Sequence, residues 1–147
     1  FGSNNRVDYT AIGENINLAS RIEGLNKYLR TNILISAETR EKAGEGLKAV
    51  RYLGQFRLSG FGKKFGIYEL LQTNNAFSSS QKLQQDFNVA MARHDQGNML
   101  SAMELFSSIL KECPDDGPCQ FYLNRCQDIQ SKPTESIDPK NIVIEEK

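Results

Sequence analysis

The chain has 147 residues, of which 39% are hydrophobic and 24% charged, with a mean hydropathy of −0.50. That profile points to a soluble globular protein and argues against a disordered, collagenous or membrane-embedded one; no stretch approaches the ~18 apolar residues of a membrane helix. Its 18 basic and 18 acidic residues cancel, which argues against a general nucleic-acid binder, since those carry a clear basic excess.

The balance hides an asymmetry: residues 1–73 hold 11 Lys/Arg against 7 Asp/Glu, and residues 74–147 hold 7 against 11. A basic half suits an anionic small ligand or an acidic partner, and the second half of the chain is one such partner. The first residue is Phe1 rather than Met, and no signal-peptide pattern follows, so a piece of a longer, cytoplasmic-facing protein is expected, whose upstream part could be membrane-anchored.

In chain order, Arg6–Ile12 is predicted as a strand leading into Gly13. Leu18, Ile22, Leu25 and Leu29 then form one apolar stripe at helical spacing. Thr31–Ile35 is a short apolar strand, and Ser36 is an N-cap for a helix over Ala37–Ala43 that Gly44 and Gly46 end. Val50–Leu58 and Gly66–Leu71 are two strands joined through the glycine-containing turn Ser59–Lys64. This segment is short for an independent core and is expected to complete a sheet begun upstream.

Residues 74–80 are polar and are expected to be a linker. Residues 81–130 are predicted as three helices: one marked by Leu83, Phe87 and Ala90 and stopping near Gly97, one ended by Pro114, and one marked by Phe121–Leu123, Cys126 and Ile129. Gly97, Met99, Ala102, Phe106, Ile109 and Pro114 fall at the spacing of a tetratricopeptide helix pair. Only one copy is visible, and a lone repeat leaves a face to cover. Residues 131–147 contain two prolines and many charges and are expected to be mostly disordered, with Ile142–Ile144 as a docking run. Cys113, Cys119 and Cys126 are odd in number and lack a CxxC, so reduced, half-buried core cysteines are expected rather than a zinc site. His94 is expected at the surface, near a helix end.

The most informative stretch is Asp8–Glu23, DYTAIGENINLASRIE. Asn17 and Arg21 are four apart and stand one above the other on a helix. An amide beside a guanidinium can read a sugar oxygen and a phosphate, because arginine offers a planar fork of donors. Alone, the pair is ordinary helix surface. In context the stretch resembles the C-terminal half of the class III nucleotidyl cyclase catalytic domain, with the strand NILIS, the small helix and the final hairpin ending in GIYEL following in the family's order. The resemblance covers residues 1–71.

It implies an α+β fold: the C-terminal half of a ferredoxin-like cyclase domain (a βαβαββ-type pattern) over residues 1–73, followed by the all-α extension. Asn17 would hold the ribose and Arg21 the α-phosphate as it becomes pentavalent, both as catalytic and substrate-binding residues. Thr10 falls at the base-selecting position and favours ATP over GTP; threonine there, shared with some bicarbonate-stimulated members, is only a slight hint of such a response. The family usually presents a lysine from the final hairpin to the distal phosphates, but the matching pair here is Ser59-Gly60. Arg57, Lys63 and Lys64 are the candidates to replace it.

The family also binds two Mg²⁺ or Mn²⁺ ions, which activate the attacking hydroxyl and bridge the phosphates. Their aspartates lie in the first half of the domain, upstream of this chain, so no metal ligand is expected in it. The family's sites form between two head-to-tail domains, which implies a homodimer. The expected function is part of an adenylate cyclase converting ATP to cyclic AMP and pyrophosphate, inactive as this fragment. The alternative is a degenerate cyclase domain that binds nucleotide or partner without turnover. The tail resembles the short extension that follows the catalytic domain in many bacterial cyclases, and a protein partner for it is expected.

Overall fold

The structure, a computed structural model, describes residues 16–46, 49–132 and 137–144. Residues 16–24 form helix α1, and Asn26–Leu29 continue as α2. The two are separated at Leu25, whose N–H turns back to the Ile22 carbonyl at 3.0 Å. Ile22, Leu25 and Leu29 are buried and Leu18 packs against them, as the apolar stripe predicts. Strand β1 is Leu34–Ser36. Helix α3 is Ala37–Ala43, capped by the Ser36 hydroxyl, which accepts from the Thr39 N–H at 3.1 Å. Strands β2 (Val50–Leu58) and β3 (Lys64–Leu70) form an antiparallel hairpin.

Three helices follow: α4 (Gln81–Asp95), α5 (Met99–Glu112) and α6 (Gly117–Gln130). Their first turns are capped by Ser80, Asn98 and Asp116. A last strand, β4 (Ile142–Ile144), returns to the sheet. The order is β1-β3-β2-β4, with β4 parallel to β2 and the other pairs antiparallel. The architecture is α+β, consistent with part of a ferredoxin-like domain carrying a helical extension.

The helices lie against the sheet through one aromatic core. Phe87 meets Phe77 and Phe106 edge-on at 5.9 and 5.8 Å, Phe106 stacks on Tyr122 at 5.7 Å, and Phe121 reaches Phe56 of β2 at 6.2 Å. A bulge in β2 completes this contact. The register with β3 slips between Tyr52 and Gly54, so Leu53 has no partner on the ladder. Its carbonyl accepts a hydrogen bond from the Tyr122 hydroxyl instead. Gly54 has φ +111°, and a Cβ there would lie 2.5 Å from that hydroxyl.

Three expectations change. The run 74–80 is no loose connector where Phe77 sits: that side chain is 1% exposed and stacks under Arg51. Disorder does not describe residues 137–144, where Ile142 is buried in β4, because an apolar Ile-x-Ile run finds a free strand edge; residues 133–136 and 145–147 lie outside the described set. His94 is fully buried rather than at the surface. It follows Leu83, Phe87 and Ala90 on the inward stripe of α4, so helical spacing overrides its polarity. The cysteines are free, and all three are buried.

Candidate functional site

Asn17 and Arg21 lie one turn apart on α1, with Asn17 exposed and Arg21 half-buried. Successive helical residues turn by about 100°, which sets this pair about a quarter turn from the buried stripe. The opposite flank of α1 (Leu18, Ala19, Ile22, Glu23) lines a groove of about 470 Å³ closed by β1 and by Glu38, Thr39 and Lys42 of α3. Neither Asn17 nor Arg21 lines that groove. The structure therefore keeps the pair together on one flank of α1, outside that groove. Thr10 and Asp8 lie outside the described residues.

Of the three hairpin cations, Arg57 and Lys63 have different neighbours. Arg57 is exposed and donates from Nε to Asn141 Oδ1 at 2.9 Å, on the β4 side. Lys63 lies over the Phe65 ring at 5.2 Å. Its charge also reaches Glu38, whose carboxyl is held below its usual range first by the hydrogen bond and charge of Lys42 and then slightly by Lys63. Lys64 is half-buried and sits opposite Arg57 across the hairpin. Ser59 and Gly60 form the turn between the strands, where Phe61 N–H bonds back to the Leu58 carbonyl at 3.1 Å and Gly60 has φ +86°.

The strongest charge cluster is one that motif reading missed. Arg51 of β2, itself buried, donates from Nη1 and Nη2 to Asp116 at 3.0 and 2.8 Å, and from Nε and Nη2 to Glu69 at 3.0 and 2.6 Å. Its guanidinium lies 3.8 Å from the Phe77 ring centre and 4.8 Å from that of Phe87. Burial works against the Arg51 charge, but the two carboxylates outweigh it and raise its pKa. Burial likewise pushes both acids up. At Asp116 the hydrogen bonds and charge of Arg51, with the Cys119 N–H, win and hold it below the ordinary range. At Glu69 burial wins and the carboxyl lies above it. The cluster joins β2, the run 74–80 and the α6 cap.

The cationic neighbours of the cysteines, Arg51 for Cys113 and Cys119 and Arg125 for Cys126, lower them less than burial raises them. Burial raises Cys113 and Cys119 above the ordinary thiol range and pushes Cys126 up to about 11, which keeps them protonated and unreactive near neutrality. Among the described residues no group of three or more His, Cys, Asp or Glu side chains is placed to hold a metal ion. None of the described helices is long and apolar enough to cross a membrane.

Two curated relatives resemble the chain. "Adenylate cyclase, terminal-differentiation specific" of Dictyostelium discoideum is 30% identical over 132 residues, covering 85% of this chain and 6% of the relative. "Adenylate cyclase 1" of Rhizobium meliloti (strain 1021) is 32% identical over 80 residues, covering 54% of this chain and 12% of the relative. The chain thus spans a small part of the length of the curated relatives it matches. A match covering 85% of the chain necessarily runs through Phe77 and into the helices. No protein-family model and no solved structure matches. Over these lengths the chain is related to adenylate cyclases.

Proposed function

We propose that the chain is the nucleotide-gripping half of a class III adenylate cyclase catalytic domain, converting ATP to cyclic AMP and pyrophosphate within a larger parent protein. The observation that carries this reading is the placement on α1, where Asn17 and Arg21 stand one turn apart on one flank with the apolar stripe beside them anchored in the core. The relationship to two adenylate cyclases supports it.

In the reaction the ribose 3′-oxygen attacks the α-phosphorus, the bond from that phosphorus to the bridging oxygen of pyrophosphate breaks, and the 3′-hydroxyl gives up its proton. Asn17 orients the sugar ring through a hydrogen bond. Arg21 faces the α-phosphoryl oxygens as charge builds on them. Donors aimed at developing charge contribute about 10²–10³-fold each. Thr10 reads the base edge and selects adenine. Of the three cations that flank the turn where Ser59 stands, Arg57 is turned toward Asn141, and Lys63 and Lys64 are left to meet the distal phosphates.

The family's two divalent ions would serve the hydroxyl and the phosphates. The described residues offer no donor set for them. A second copy, or the upstream half of the domain, supplies that side of the site. The tetratricopeptide-like helices dock a protein partner.

In the parent protein, Arg21→Ala is expected to lower kcat about 10²–10³-fold while KM for ATP changes only a few-fold, because the contact strengthens in the transition state. An equal loss in both would overturn the role. The isolated 147-residue chain, given ATP with Mg²⁺ or Mn²⁺, is expected to form no cyclic AMP; measurable product would show that the site is complete in this chain. The serine at position 59, where the family carries a cation, favours a second reading, a domain that binds nucleotide without turnover. ATP binding by an inactive parent with both metal aspartates intact would decide for it.

A further inference from the structure

Strand β4 is three residues long and pairs only with β2 among the described residues, so its ladder contributes few hydrogen bonds. Side chains from elsewhere hold this segment. Arg125 of α6 donates from Nη2 to the carbonyls of Pro139 and Asn141 at 3.0 and 3.4 Å. Arg57 takes Asn141 Oδ1, and Ile142 is 3% exposed. The remaining bond of Arg125 sets its orientation: Nε donates to His94 Nε2 at 3.3 Å. A guanidinium has no acceptor, so this bond requires an unprotonated Nε2. The ring proton is then on Nδ1, donating to Asp95 Oδ1 at 2.9 Å.

We propose that His94 and Arg125 form an acid-operated latch for residues 137–144: a proton on His94 Nε2 turns the acceptor of the Arg125 bond into a second cation and frees the segment from the outer edge of β2. No alternative acceptor is needed for the ring proton, because Asp95 already holds Nδ1–H. The released edge, Phe56–Leu58, is a strand edge open to pairing.

The charges around the ring come from every side. Asp95 on α4 favours the protonated ring, and Arg125 on α6 opposes it. Tyr122 on α6 meets the ring edge-on at 5.0 Å and spends its hydroxyl on Leu53. From α5, Phe106 stacks behind Tyr122. On β2 and the tail, Tyr52 and Lys140 line a cavity of about 330 Å³ with Asp95, Tyr122 and Ile142. Asp138 and Asp128 act on Arg125. Burial is the largest influence on His94 and, with Arg125, holds it below its ordinary value.

Opening the tail takes Lys140 and Ile142 away from Asp95 and Tyr122, which both touch the ring, and takes the Pro139 and Asn141 carbonyls from Arg125, so water gains a path to the ring. The open form then regains the ordinary imidazole value of about 6.5 and binds the proton more tightly than the closed form. Below that value each pH unit raises the open-to-closed ratio by up to about tenfold.

The test is hydrogen exchange by mass spectrometry on the full chain, read as protection factors at about pH 7.5 and pH 5.5. Peptides over residues 138–144 are expected to lose about tenfold protection on acidification, while peptides over α5 keep theirs. His94→Gln retains an oxygen for Arg125 but cannot titrate, so it is expected to keep the tail closed at both pH values. Constant tail protection in the unsubstituted chain overturns the latch, as does the same loss in His94→Gln or a loss shared by α5. Should that variant fail to fold, the NMR titration of the His94 ring in the unsubstituted chain decides: its midpoint must coincide with tail opening, and separate midpoints overturn the proposal.

Discussion

At Arg51 one guanidinium meets two carboxylates and two aromatic faces with its side chain almost wholly out of water. Such a group is costly to bury and far costlier to leave half-paired. Removing one member of a buried ion pair typically costs about 3–5 kcal/mol, because the other charge stays buried without compensation. Arg51→Met is therefore expected to lower unfolding free energy by about that amount in urea titrations. The triple change Arg51→Met, Glu69→Gln, Asp116→Asn should recover part of the loss, since it leaves no unpaired charge. If the single variant is as stable as the parent chain, the cluster is not holding strand to helix. In the sequence Arg51 is one basic residue in a strand. Its partners stand 18 and 65 positions away, so no local pattern reveals the cluster.

Among the elements, β2 shows both what local pattern conveys and where it stops. Its limits, Val50–Leu58, follow from an apolar, β-branched and aromatic run ended by a turn, and α3 with its Ser36 cap follows from spacing and capping chemistry. Both signals sit within a few residues. Gly54 sits at a bulge inside β2 that went unread in the sequence, and its partner, the Tyr122 hydroxyl, comes from a helix remote in sequence. The same limit explains β4 and Phe77, whose burial depends on a strand edge and a guanidinium formed elsewhere. On α1 the stripe was legible and, with it, the flank that carries Asn17 and Arg21. The bulge itself can be tested. Gly54→Ala must strain a positive φ and displace the hydroxyl, at an expected cost of about 2–4 kcal/mol. Tyr122→Phe leaves the Leu53 carbonyl without its partner, at about 1–3 kcal/mol. Thermal or urea unfolding reads both, and the double variant should cost less than the sum because both break one contact.

For the whole molecule, three buried titratable groups set how stability follows pH, and they act with different signs. His94 is lowered, chiefly by burial. Its contribution is complete above the ordinary imidazole value of about 6.5 and is lost as pH falls toward the folded value, with a slope of at most about 1.4 kcal/mol per pH unit for one proton. Glu69 is raised, chiefly by burial, so the folded chain takes its proton before the unfolded chain does and gains stability as pH falls through that raised value. Asp116 is lowered, because Arg51 overcomes its burial; its contribution holds above the ordinary carboxylate value of about 4 and is lost below it. Protonating Glu69 also leaves the Arg51–Asp116 pair in place, so the cluster does not fail at one step. Urea unfolding midpoints should therefore fall from about pH 7.5 to 5.5, flatten as Glu69 takes its proton, and fall again below about pH 4. His94→Gln should remove the first fall and leave the last. A single smooth decline that ignores that substitution would mean that acid acts on exposed carboxylates, not through these three buried groups.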